Sequence, residues 1–599
     1  MDKLLFFVIN YFQLLVFLSA GFVTGYVLLR STSLVDHIDR VTAFLLSIVL
    51  GVGCLIVIFF LLAAIGFLTK SVILVLGSAL LVVGCAETIR IGLRNPVTIT
   101  TSLRNSITQF REKWYWLLIF SIAAIPLLLA PLQPPLGWDE LAYQLPTAKG
   151  YAESGALVVN PYLRYPLHAY NYNLLYAVAL IFHNDVLPHL IHAVSGWLVA
   201  FGILQLCRVY FKGSVIGLFA AIIYLSEVKV LFSLGYVDLG LGLFVFYAFY
   251  CLIIWYDKSQ DGFLYLAVFF ISLAIGTKYI GLWYLLVFGV IVLAKARRFR
   301  PIINATGIFL AFGTYWYIHN YLISGDPVHP LGGEYFGYWL WDRHDLEGQY
   351  QDLASRAERL PRILAFGLVS VLFLPWSSTA YRILCFSAYT TFLIWWNASH
   401  QMRYLIPAFP FLAILAAYSL YRCGAWLTPP RWLQTVRQWL QRLPVRVVLK
   451  ALLLAVVVKS SLESSQEPWS NIQTTEQDRH HFLAKRLEAY EILQLVASQP
   501  DVKIYQLGFE NHIYYSANPI IGDWFGPGRY SDLLPIAGDT VALRQHLRQL
   551  GVNSLLINKD RRPFSNLHFD AHFRDHFDLL AENETAVLYV LKCPTTMQE

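Results

Sequence analysis

About fourteen apolar runs, many near the roughly 20 residues a helix needs to cross a bilayer, divide this chain. They constrain it more than any other feature. In hydrocarbon every backbone N–H and C=O must find a partner inside the protein, so a run of this length has to be helical. The runs fall near 4–29, 41–68, 71–90, 114–131, 186–206, 215–232, 236–256, 262–276, 279–294, 303–322, 363–376, 380–397, 404–422 and 446–460. Composition agrees: only 14% of the 599 residues are charged and 57% are hydrophobic, against about 25% charged in a soluble domain. The first run, Leu4 to Leu29, is too long for the apolar part of a signal peptide and lacks a small-residue cleavage site, so it reads as a retained span. The expected fold class is a polytopic α-helical membrane protein with about 12–14 spans.

The net charge is +7. The excess sits in short loops, where the positive-inside rule expects it, so nucleic acid is not implied as a partner. Lys295, Arg297, Arg298 and Arg300 mark a cytoplasmic loop. Counting spans outward puts 95–113 on the same side, with Arg104, Arg111 and Lys113, and also 423–445, with Arg431, Arg437 and Arg442, followed by Arg446. If 171–183 crossed the membrane, this agreement would be lost. That piece therefore reads as an interfacial or re-entrant helix.

Three segments then face outward: loop 132–185, loop 323–362 and the tail 461–599. The division expected is an N-terminal membrane extension of about three spans (1–113), a membrane catalytic domain (114–460) and an extracytoplasmic α/β domain (461–599). In the tail, helices are expected near 478–497 and 540–550, with strands at Val502–Leu507, Val552–Ile557 and Ala586–Leu591. Of the 7 cysteines only Cys593 lies in the tail, so the tail holds no internal disulfide. No internal repeat is visible, which weighs against a transporter built from two halves.

The residues that carry chemistry lie at the outward ends of the runs. Loop 132–185 opens Pro134-Pro135-Leu136-Gly137-Trp138-Asp139-Glu140-Leu141-Ala142-Tyr143. Two adjacent carboxylates directly after a span are costly near hydrocarbon. One can serve as general base toward a hydroxyl, or Asp139 can cap the following helix with Glu140 in its first turn. Further along, Arg164 and His168 can meet a phosphate, and Tyr162, Tyr165 and Tyr170 can stack on a sugar or sit in the headgroup belt. Gly235-Tyr236-Val237-Asp238 adds an acid on the same side, or a solvated turn acid. Lys278, in Gly276-Thr277-Lys278-Tyr279, suits a phosphate as a point charge or snorkels to the headgroups. Arg403, in Gln401-Met402-Arg403-Tyr404-Leu405-Ile406-Pro407, can hold a phosphate through two parallel hydrogen bonds or anchor the topology. His329, in the second loop, is a weak ligand candidate and reads chiefly as structural. Two or three acids with two cations on one face match what sugar transfer from a lipid phosphate requires.

Trp138-Asp139-Glu140 after a span, the later Gly-Thr-Lys-Tyr, and Arg403-Tyr404-Leu-Ile-Pro407 resemble the GT-C superfamily of membrane glycosyltransferases. The likeness is to the bacterial branch related to protein O-mannosyltransferases and the lipid A aminoarabinose transferase, and it covers roughly 114–425. It implies a sugar carried on a polyprenyl monophosphate or diphosphate and transferred to a glycan, lipid or protein hydroxyl on the periplasmic side of a bacterial inner membrane, with inversion. It implies Asp139 as base with Glu140 in support, the order between the two left open, and carrier phosphate held by Lys278 and Arg403. Tyr404, Arg164 and His168 are expected beside that phosphate from their places in the chain. The adjacent Asp139–Glu140 departs from the spaced Asp-X-Asp of metal-dependent members, so a divalent metal is not expected. The tail lacks the Trp-Trp-Asp pattern of the oligosaccharyltransferases. Two other readings stay open. A flippase or transporter of a lipid-linked glycan would place paired charges near the bilayer midplane. A non-catalytic envelope assembly protein would tolerate loss of Asp139.

Overall fold

The computed structural model describes residues 2–94, 114–116, 118–211, 213–426 and 443–592. The basic residues Arg104, Arg111, Lys113, Arg431, Arg437 and Arg442, and Cys593, lie outside the described residues. The chain is a polytopic α-helical membrane protein with a small C-terminal α/β domain. Among the described residues, eight helices are long and apolar enough to cross a membrane, among them Lys3–Ser31, Arg40–Ala64, Leu187–Tyr210, Asp238–Lys258 and Met402–Cys423. Five shorter apolar helices accompany them. The run 303–322 is divided at Thr314 into Phe299–Gly313 and Tyr315–Ser324. The run 363–376 becomes a short α-turn, Arg362–Phe366, followed by a tighter helix, Gly367–Trp376.

Asp238–Lys258 is the axis of the bundle. It is apolar all round, and every residue from Asp238 to Trp255 is buried, as expected for a helix enclosed by others. Its first residue, Asp238, is one of the candidate acids, so the most enclosed helix delivers a carboxylate to one end of the bundle. The piece 171–183 forms the 11-residue helix Asn171–Ile181, buried along nearly its whole length. At 1.5 Å per residue it measures about 16 Å, half the hydrocarbon thickness. It is enclosed by protein rather than lying on the bundle's outside.

The first two long helices touch backbone to backbone. Gly21 and Gly25 on one face Gly51 on the other, and a Cβ at Gly51 would overlap the Gly21 carbonyl. This is the small-residue spacing that lets membrane helices approach closely.

The last long helix, Leu443–Asn471, continues well past 460. Beyond it the expected long helix near 478–497 is two helices, Glu476–Arg486 and Tyr490–Val496. Five strands follow: β1 (Ile504–Leu507), β2 (Ile520–Ile521), β3 (Ser554–Asn558), β4 (Phe577–Glu582) and β5 (Ala586–Leu591). Their order is β2-β1-β3-β5-β4. β1 runs parallel to β2 and β3, with Tyr505 opposite Ile521 and Leu555, while β5 is antiparallel to β3 and β4. β1, β3 and β5 match the expected strands. β2 and β4 are additions: β2 has two residues, and β4 is an edge strand whose middle is exposed.

Candidate active site

Four charged side chains from four parts of the chain meet in one ion-pair network. The Arg403 guanidinium bridges two acids, with Nη1 2.8 Å from Asp139 Oδ2 and Nη2 2.8 Å from Asp238 Oδ2. Lys278 Nζ reaches Asp238 Oδ1 at 3.1 Å. Exposure grades across the set: Asp238 is 1% exposed, Lys278 15%, Asp139 16% and Arg403 23%. Asp238 is therefore the floor, and the other three form the accessible rim. Two positive and two negative charges cancel. Arg403 retains a buried Nε–H with no hydrogen-bond partner among the described residues.

Local structure fixes each member. Asp139 precedes a π-helical turn, Glu140–Gln144, closed by the Leu145 N–H on the Glu140 carbonyl. Such turns concentrate at functional sites. Asp139 makes no capping bond; its Oδ2 instead accepts from the Tyr143 hydroxyl one turn on, at 2.6 Å. Asp238 stands in the first turn of the central helix, where the helix dipole favours a carboxylate. The Leu239 N–H beside it donates to His192 Nε2 at 2.9 Å. That bond places the imidazole proton on Nδ1, 3.1 Å from the Leu231 carbonyl. Lys278 follows the end of helix Asp261–Ile275, a corner tied down by Asn171. The Asn171 N–H donates to the Gly276 carbonyl (3.0 Å) and its side-chain amide to the Leu273 carbonyl (3.1 Å). Arg403 lies on a short tight helix, Met402–Ala408. The Tyr236 ring lies 4.4 Å from its guanidinium carbon, and the Tyr404 ring is 5.8 Å from Lys278 Nζ.

Burial pushes the Asp139 carboxyl up, but Arg403, Lys278 and the Tyr143 hydroxyl more than offset it and leave it below the usual carboxylate range. Burial pushes the Tyr143 hydroxyl up as well, well above the ordinary phenol, and the Asp139 charge adds to that. Lys278 is lowered, chiefly by burial.

Glu140 turns away from this network. It is fully buried and accepts from the Gly137 N–H (3.0 Å) and the Gly235 N–H (2.9 Å), and it pairs with His189. Its carboxylate thus ties the segment before Asp139 to the segment before Asp238. Arg164 is committed elsewhere: Nε and Nη2 grip Asp523 of the C-terminal domain at 2.8–3.2 Å. His168 stacks on Tyr279 with ring centroids 4.1 Å apart. Burial lowers it to about 3, so it is neutral near pH 7. His329 is buried with Nε2 against the Trp339 carbonyl, a structural place. Among the described residues no three His, Cys, Asp or Glu side chains gather as a metal site. The acids of the network face Arg403 and Lys278 instead.

Sequence reasoning passed over Tyr143, His189, His192, Asn171 and Asp523. The i, i+4 spacing of Asp139 and Tyr143 was a usable signal. The two histidines sit inside an apolar run, where a buried polar group demands a partner. Nothing local marks Asn171 or Asp523.

The fold around this network is one shared with a solved membrane protein. In particular, the chain superposes on the crystal structure of ArnT from Cupriavidus metallidurans bound to undecaprenyl phosphate. The TM-score is 0.51 with 15% sequence identity, covering 80% of this chain and 98% of that one. The apo form of the same protein gives 0.52 and 14%, with the same coverage. Residues 478–590 match the family described as SF2091/S2213. Two proteins of Shigella flexneri are similar over shorter stretches. "Uncharacterized protein SF2092/S2214" is 26% identical over 140 residues, 21% of this chain and 76% of that protein. "Uncharacterized protein SF2093/S2215" is 30% identical over 121 residues, 20% of this chain and 60% of that protein.

Proposed function

We propose that this protein is a membrane glycosyltransferase that moves a sugar from a polyprenyl-phosphate carrier to a hydroxyl of a glycan, lipid or protein, with inversion. The observation that carries the reading is the convergence of Asp139, Lys278 and Arg403 on one accessible rim above Asp238. It is supported by a fold shared with a protein crystallised with undecaprenyl phosphate.

In this reaction the acceptor oxygen attacks the anomeric carbon and the bond from that carbon to the carrier phosphate breaks. Asp139 takes the acceptor proton. Lys278 and Arg403, whose free Nε–H is one donor in reserve, stabilise the charge that develops on the leaving phosphate. Asp238 holds both cations in place, and Glu140 holds the loops. Tyr404 flanks the phosphate. His168, being neutral, offers at most an uncharged N–H, and Arg164 serves the loop rather than the phosphate.

At rest Asp139 is a weak base, because two cations and a phenol stabilise its ionised form. A phosphate that draws Arg403 and Lys278 toward itself raises the affinity of Asp139 for a proton. Donor binding thereby readies the base.

The catalytic unit is read as 114–460, with its site on the extracytoplasmic face of a bacterial inner membrane. Lys278 and the basic run Lys295–Arg300 flank opposite ends of helix Gly281–Lys295, about 22 Å apart at 1.5 Å per residue. The positive-inside rule assigns the basic end to the cytoplasm. The test uses purified protein in lipid with an undecaprenyl-phosphate sugar and envelope extract as acceptor. Release of undecaprenyl phosphate together with a new glycoside of inverted configuration is expected. No release by the intact, folded protein across common sugars and acceptors rejects the reading.

A further inference from the structure

The segment Pro135–Leu141, which carries Asp139, is gripped from three directions by the C-terminal domain. The Tyr515 hydroxyl donates to the Pro135 carbonyl at 2.9 Å. Leu141 is fully buried in an apolar cluster with Leu483, Leu487 and Tyr490, beside Tyr515. Trp138, one residue before Asp139, lies under the Arg164 guanidinium at 4.5 Å. Arg164 is held by Asp523 through both Nε and Nη2, the pair being 15% and 3% exposed. The Phe525 ring lies 5.2 Å from that guanidinium. Phe525 also stacks on Trp341 at 4.8 Å; Trp341 stacks on Tyr165, which stands edge-on to Tyr143 at 5.0 Å. Tyr143 is the donor to Asp139. The loop is pinned in turn at Arg529, which pairs with Asp342 and Asp345 of loop 323–362.

We infer that the C-terminal domain is a working part of the active site, with Asp523 as a positioning residue that sets Asp139 through Arg164 and Trp138. Asp523 touches no reacting atom. A bidentate Arg–carboxylate pair fixes the guanidinium plane, and that plane covers Trp138. A carboxylate misplaced by about 1 Å costs on the order of a hundredfold in rate, so a distant clasp of this kind bears on turnover.

This inference rests on reading Asp139 as the base, and its test separates the two. The full-length Asp523→Asn and Asp523→Glu proteins are compared with wild type for turnover, donor KM, melting temperature, and hydrogen–deuterium exchange of 135–145. Asp523→Asn is expected to lower kcat of the folded protein at least tenfold with donor KM unchanged, to lower the melting temperature because the buried Arg164 loses its carboxylate, and to speed exchange across 135–145. Asp523→Glu should recover most of kcat. Tyr515→Phe, which removes only one hydroxyl, should speed exchange in the same peptide. Wild-type kcat in Asp523→Asn, or faster exchange confined to 478–592, overturns the inference. If wild type shows no transfer while Asp523→Asn still loosens 135–145, the coupling stands and the functional reading fails.

Discussion

Asp139 and Glu140 are neighbours in sequence and opposites in setting. Asp139 looks onto a rim of two cations and a phenol and stays reachable. Glu140 is sealed between two backbone N–H groups and His189, with no exposed surface. Either carboxylate satisfies a sequence-level search for a general base. What separates them is direction: residues one apart on a helical turn point about 100° away from each other, so one faces the accessible rim and the other the interior. A reacting base has to reach substrate, whereas a carboxylate consumed by backbone donors organises structure.

Mutation sharpens this contrast. The largest effect is expected from Asp139→Asn, a loss of about 10²–10⁴ in turnover by protein that still folds; turnover near wild type breaks the distinction. Glu140→Gln replaces one accepting oxygen with a donor and leaves a buried N–H unpaired. It should cost about 1–3 kcal/mol of stability, read by thermal unfolding, while correctly folded enzyme keeps most of its kcat. The reverse pattern would exchange the two roles.

Lys278→Ala should weaken binding of undecaprenyl phosphate by about tenfold through loss of one charge-assisted contact, measured by titration in lipid nanodiscs. The pH dependence tests Asp139 further. Its value lies below the free one, so its pairing stabilises the fold above about pH 4 and is lost as pH falls through the lowered value. The acid limb of kcat/KM should therefore lie below about pH 4. That of kcat, measured with donor bound, should lie higher, and coincident limbs would argue against cations shared with the phosphate. The smallest effect is that of chelator. Asp139 and Asp238 already face Arg403 and Lys278, so excess chelator is expected to leave the rate unchanged; a rate lost to chelator and restored by Mg²⁺ or Mn²⁺ overturns this.

Much of the fold could be read from residues alone, because a span announces itself over twenty positions. The apolar runs match helices closely where they are long, as at Lys3–Ser31 and Asp238–Lys258. They mislead where one run hides a break, as at Thr314. β2 escaped because two residues carry no period, and β4 because an exposed edge strand has no apolar stripe. Within the candidate site, Asp139, Asp238, Lys278 and Arg403 were legible as charges at the ends of apolar runs. Their pairing was not, nor was the inward turn of Glu140. His189 lies 49 residues from Glu140, and Asp523 lies 359 from Arg164. No local pattern encodes such partnerships; they exist only once the chain has folded.

The self-cancelling charge of the Asp139–Arg403–Asp238–Lys278 set has a consequence for which molecules can enter. A rim whose charges sum to zero casts little field beyond itself, so phosphates dissolved in the surrounding medium are not drawn in from afar. A ligand tethered in the lipid needs no such attraction. The polyprenyl carrier proposed above would arrive by diffusing in the plane of the bilayer, its isoprenoid tail supplying hydrophobic affinity, and would meet the cations only at contact. Electrical neutrality at rest then acts as a filter that favours anchored visitors over soluble ones.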